Sequence, residues 1–93
     1  MRVIYKITYP NGKIYVGKDF TNTLTYFGSV DSSLVSADFT SEQRRDFTIR
    51  KQILLESETA SETEVNQKEI EFIRNLGAND PAIGYNRWPP LKK

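Results

Sequence analysis

A chain of 93 residues leaves room for one domain and one core, and 38% hydrophobic with 12% aromatic residues marks a folded globule rather than a disordered tail. It holds neither cysteine nor histidine, which excludes disulfides, thiolate zinc sites, cysteine nucleophiles and imidazole chemistry, and no apolar run approaches the ~20 residues that span a bilayer. The net charge of +1 is uneven, at +2 over residues 1–50, −4 over 51–82 and +3 over 83–93, so an acidic stretch lies between two basic ends, either as a solvated helix face or with those ends converging on an anion.

Val3-Ile4-Tyr5-Lys6-Ile7-Thr8-Tyr9 is dense in β-branched and aromatic residues. Alternation puts Val3, Tyr5, Ile7 and Tyr9 on one face and Ile4 on the other. Asn11-Gly12 is a strong hairpin signal and Lys13 to Gly17 reads as the return strand, so residues 2–17 are expected to form an antiparallel hairpin. Thr21 to Thr25 has no clear period, and Tyr26-Phe27-Gly28-Ser29 sets a bulky pair before a turn. Ser32 or Ser33 is the candidate cap of a short helix running to Asp38. Thr40-Ser41-Glu42-Gln43 fits a capping box opening a helix from Ser41 to about Asp46. Phe47 to Leu55 fits a strand at Phe47, Ile49 and Ile53 and a helix at Ile49, Ile53 and Glu56; its Phe, Thr and Ile content favours a third strand. Ser61-Glu62-Thr63-Glu64 is a second capping box, and it starts a helix over about 62–76. That helix carries an apolar stripe of Val65, Ile70 or Glu69, Phe72, Ile73 and Leu76, with Gly77 as C-cap. Ala78 to Pro81 is a turn, Ile83-Gly84-Tyr85-Asn86 a closing segment, and Trp88-Pro89-Pro90 continues neither helix nor central strand. This order predicts an α+β fold, a small three-stranded, mostly antiparallel sheet flanked by helices, as a single domain over residues 1–93 with a tail at 87–93.

Val3-Ile4-Tyr5, followed ten residues later by Tyr15-Val16-Gly17 across the Asn-Gly turn, resembles the paired triplets of the GIY-YIG nuclease family, with Val3 for Gly and Val16 for Ile. Two further family landmarks follow in order: Glu69 ahead of Phe72-Ile73 on the last helix, and Gly84-Tyr85-Asn86 near the end. Ile53-Leu54 looks like the family's third strand, and the likeness spans residues 3–86. Family members place an Arg on the first helix about eight residues after the second triplet; here Thr25 stands at that distance, beside a loop, Tyr26-Phe27-Gly28-Ser29, similar to that of phage-type members. The resemblance implies a divalent-metal-dependent endonuclease that hydrolyses DNA with Mg²⁺ or Mn²⁺. The absence of a signal-peptide stretch adds the expectation of a cytoplasmic protein of a bacterium or phage-infected host, with no membrane partner. A small, nearly neutral domain should bind DNA weakly and in a salt-dependent way, so specificity is expected from a partner protein or domain. The alternative is a catalytically inactive GIY-YIG-like module that binds nucleic acid or a protein.

By the same resemblance Tyr5 and Tyr15 handle the nucleophile, with Tyr5 as candidate base and Gly17 in support. A phenol with pKa ~10 is a poor base at neutral pH, and a cation such as Lys18 would lower it. Glu69 is the implied metal ligand, since a hard cation that keeps its waters can be held by one carboxylate. From pattern alone, a carboxylate on an apolar stripe needs a partner, and an internal salt bridge to Lys51 or Arg50 reads equally well. Asn86 supports the site by hydrogen bonding, or is a turn residue. With Thr25 at the Arg position, the phosphate cation must come from Lys18, Arg44, Arg45 or Arg50. Lys18, next to Gly17, comes first; Arg45 joins it as a catalytic candidate, and Arg44 and Arg50 support. Adjacent helical residues point about 100° apart, so at most one of Arg44 and Arg45 aims into a shared site. Trp88 with Arg87, Lys92 and Lys93 could stack on a base and touch phosphates, but a Trp beside prolines is expected rather to pack back on the core.

Overall fold

The expected hairpin forms from β1 (Arg2–Thr8) and β2 (Ile14–Asp19), with the Gly12 amide donating to the Tyr9 carbonyl at 2.9 Å in the turn. The structure, a computed structural model, describes residues 1–23, 26–28 and 30–91. The readings attached to Leu24, Thr25, Ser29, Lys92 and Lys93 therefore lie outside the described residues. β3 (Arg50–Ser57) pairs antiparallel with the other side of β1, giving the order β2-β1-β3. The fold is α+β with a three-stranded antiparallel sheet, as the element order predicts. β3 starts later than expected because Phe47 belongs to a ring cluster instead, with centroids 4.8 Å from Phe39 and 6.3 Å from Tyr9. The ladder begins where Arg50 meets Thr8, and a bulge shifts its register between Ile4 and Tyr5.

Three helices follow the caps. α1 (Ser32–Ala37) is capped by Asp31 rather than by a serine: the Asp31 carboxylate accepts from the Ser33 amide at 3.0 Å and the Ser33 hydroxyl at 2.6 Å. α2 (Ser41–Arg44) has the Thr40–Gln43 capping box but ends short of Asp46. α3 (Glu62–Leu76) has the Ser61–Glu64 box and ends at Gly77, whose φ of 74° is the left-handed cap that glycine adopts without steric cost.

Both faces of the sheet are covered. On one face Ile4 and Val16 pack with Val65, Ile73 and Ala78 under α3; on the other Tyr5, Ile7 and Tyr9 pack with Phe39 and Tyr85, and with Val35 and Phe47. Ile4 is thus buried although it alternates out of the Val3–Tyr5–Ile7 row, because α3 supplies a second core. Leu76 ends the helical stripe on the exposed side. The closing segment runs parallel along the free edge of β2. The Ile14 amide donates to Ile83 at 3.1 Å, and the Tyr85 amide donates to Ile14 at 2.9 Å. The Tyr85 hydroxyl donates to Asp38 at 2.7 Å, and Lys13 meets the same carboxylate at 2.9 Å; these contacts lower the Asp38 pKa. Burial and Asp38 push the Tyr85 phenol up to about 12. Among the described residues no helix is long and apolar enough to cross a membrane.

Candidate active site

Tyr5 stands opposite Gly17, and Tyr15 opposite Ile7, so both tyrosines project from the same face of the hairpin. Tyr5 is 1% exposed. A Cβ on Gly17 would fall on the Tyr5 hydroxyl and lie 2.6 Å from its Cζ; one on Gly28 would lie 2.5 Å from that hydroxyl and 2.9 Å from the Tyr15 ring. Two bare backbone positions therefore admit the phenol and bring it beside Tyr15. Tyr26 packs edge-on at 6.0 Å between centroids. Lys51 lies 5.0 Å over the Tyr5 ring and donates to the carbonyls of Tyr26 at 2.7 Å and Thr23 at 3.2 Å, holding both residues over Tyr5. Burial drives the Tyr5 pKa far upward, and Tyr26, Tyr15 and Glu69 act in the same sense. Lys18, the cation expected to lower it, lies on the opposite face of the hairpin, and burial shifts the Tyr5 phenol in the direction away from a base.

Val16 and Lys18 alternate to the opposite face, toward α3. There Lys18 Nζ lies 3.7 Å from Glu69 Oε1 and donates to Asn66 Oδ1 on the preceding turn. Glu69 is therefore paired with Lys18, not with Lys51 or Arg50. The Glu69 side chain is 18% exposed. Burial raises its pKa against the opposing pull of Lys18.

A cavity of about 350 Å³ opens where β2, α3 and the closing segment meet, lined by Tyr15, Val16, Glu69, Asn86, Arg87 and Trp88, with Asp31. Tyr15 and Glu69 come from opposite sides of the sheet and reach one space because β2 is an edge strand. A larger cavity of about 420 Å³ between β3 and α3 carries Glu56, Glu64 and Glu71 against Lys68. Its net negative charge disfavours a phosphate. In the β2-edge cavity Asp31 is matched by Arg87 at 3.0 Å, and Glu69 by Lys18.

Asn86 is a positioning residue. Its Oδ1 accepts from the Val16 amide and its Nδ2 donates to the Val16 carbonyl, both at 2.8 Å, so the side chain continues the ladder on the edge of β2. Asn86→Ala leaves both Val16 groups unpaired and is expected to cost about 1–3 kcal/mol, lowering Tm by about 4–8 °C per kcal/mol. A thermal unfolding curve superposing on wild type would show that the segment is held otherwise.

Three expected cations are not at this cavity. Arg44 donates to the carbonyls of Ser36 at 2.8 Å and Phe39 at 3.2 Å, tying α2 to α1; Arg45 is exposed at the end of α2, and Arg50 is exposed at the start of β3, the far edge of the sheet. Lys18 stands behind the cavity wall, paired with Glu69, whereas Arg87, which the sequence places beside Trp88 as a candidate phosphate contact, lines the cavity itself. The sequence signal for Arg87 was its position directly after Gly84-Tyr85-Asn86. Lys51 had no such signal beyond lying on the third strand. Trp88 also departs from its expected core position, at 67% exposed.

Among the described residues no three acidic side chains are placed together to hold a metal ion. One half-buried carboxylate at the wall of an open cavity fits a hard divalent ion that keeps most of its waters, with Lys18 competing for the same oxygen. Compared with known proteins, the chain matches no family model, no curated protein and no solved structure.

Proposed function

We propose that this chain is a divalent-metal-dependent endonuclease of the GIY-YIG type, hydrolysing DNA phosphodiester bonds at the β2-edge cavity. The observation that carries the reading is the meeting of Tyr15, Glu69 and Asn86, three separate landmarks of the resemblance, around one cavity with the Tyr5 hydroxyl against Tyr15. Water forms the new P–O bond and gives up a proton to solvent, while the leaving oxygen takes the electron pair of the broken P–O bond and regains a proton from solvent. Tyr15 orients the water from the cavity wall. Tyr5, held protonated by burial, hydrogen-bonds within the tyrosine cluster and fixes Tyr15. Lys18 stands in for the usual helix Arg, and Arg87 adds a second positive group. Mg²⁺ or Mn²⁺ would be held by Glu69 and would supply Lewis acidity at a phosphoryl oxygen.

Weak, salt-sensitive binding follows from the small net charge. A partner protein or domain then supplies specificity, inside a bacterium or phage-infected host. The reading predicts plasmid nicking in Mg²⁺ or Mn²⁺ that stops with EDTA and is lost in Glu69→Ala. If the two proteins nick alike, the metal assignment is wrong. A second reading, a binding module without cleavage, draws on one observation: Lys18 and Arg87 are both already paired with carboxylates and must leave them to meet a phosphate. DNA binding that survives EDTA, with no cleavage under either metal, selects that reading.

A further inference from the structure

Trp88 is the chain's single tryptophan and is 67% exposed at the wall of the β2-edge cavity. An indole left in water forgoes the apolar burial that a Trp ordinarily gains in a core. Its neighbours explain why it cannot fold back. Before it, Asn86 is bonded twice to Val16 and Arg87 is paired with Asp31 at 3.0 Å. After it, Pro89 is buried and its carbonyl accepts from the buried Asn79 side chain at 2.8 Å. The indole is presented on a fixed backbone, beside a guanidinium whose side chain is 73% exposed.

A rigid aromatic face with a cation next to it, at a cavity wall, matches the chemistry of an unpaired nucleobase: the ring stacks and the cation meets the flanking phosphate. A base inside a duplex already has both faces stacked and offers none to Trp88. The geometry points to Trp88 as a stacking platform for an unpaired base of DNA at the β2-edge cavity, with Arg87 on the adjoining phosphate, so that single-stranded or locally opened DNA is favoured over intact duplex. This rests on reading the cavity as a nucleic-acid site, but it does not require cleavage.

The test uses Trp88 fluorescence in EDTA, so that no strand is cut. A short oligothymidylate is expected to quench the emission saturably, while the same strand built of abasic sites and an equal-length duplex quench little. By anisotropy with a labelled oligothymidylate, Trp88→Ala is expected to weaken binding by about 5- to 150-fold, the range for loss of one stacked base, and Trp88→Phe by much less. Because the side chain is exposed, both variants should melt with wild type. Equal quenching by all three ligands, no binding of the single strand, or unchanged affinity in Trp88→Ala would overturn the inference. Stacking without any metal-dependent nicking would defeat the nuclease reading alone; nicking unchanged in Trp88→Ala, with no quenching, would defeat the stacking alone.

Discussion

Glu69→Gln is expected to reduce nicking by about 100-fold or more while making the protein more stable. The activity loss follows from removing the negative charge that would hold the cation, an effect in the range seen when one group of a preorganised electrostatic site is lost. The stability gain comes from the same charge. Burial raises the Glu69 pKa despite Lys18, so the folded protein holds this carboxylate ionised at a cost at neutral pH. Gln keeps the shape without that charge, and Lys18 keeps its bond to Asn66. The gain should fall in the usual range of stabilising single changes, about 0.5–2 kcal/mol, and so raise Tm by several degrees. The pH dependence has a definite sign. A carboxyl with a raised folded pKa favours the folded state most when protonated, and loses that contribution as pH rises through the folded value. The two proteins should therefore melt together at acid pH, below the ordinary Glu value of ~4.3, and separate as the pH rises. Parallel curves from acid to neutral pH would sink this account, as would wild type melting above the variant at neutral pH.

Gly17→Ala is expected to cost about 1–3 kcal/mol, the range for overpacking a filled interior. It should also disturb the site, because the added methyl falls where the Tyr5 hydroxyl lies. Tyr5 is fully buried and cannot step aside without moving Tyr26 or Lys51 from its ring. Tyr5→Phe placed on Gly17→Ala removes the nearest atom and should recover part of the stability. Recovery stays incomplete because Cζ would still lie 2.6 Å from the new carbon. Denaturant unfolding of the two single variants and the double variant gives the coupling between the positions. Costs that add within about 0.5 kcal/mol would mean that Gly17 and Tyr5 do not share this space.

What was legible in the chain was local. The Asn11-Gly12 turn, the Thr40–Gln43 and Ser61–Glu64 boxes and the Gly77 cap each join residues a few positions apart, and all four form. The carboxylate of Glu69 also stood out, because it interrupts an apolar stripe that α3 must bury. Its partner did not: Lys18, Lys51 and Arg50 all lie on strands, and only Lys18 alternates to the α3 face of the edge strand beside the helix. For the same reason Arg44 could be read as a phosphate cation until the carbonyls of Ser36 and Phe39 claimed its guanidinium.

Trp88 marks the division most clearly. Composition and neighbouring prolines favoured burial, yet Asn86 and Pro89 are fixed by Val16 and Asn79, and the indole between them stays in water. The order of the elements, the Thr40 and Ser61 boxes, the Gly77 cap, the α+β class and the residue types available for chemistry follow from the chain alone, because they depend on short-range sterics and periodicity. Only the tertiary structure decided which side chains share the edge of β2, which phenol is buried and which cation stands by the carboxylate. These outcomes depend on contacts between distant segments and on how far each group is removed from water.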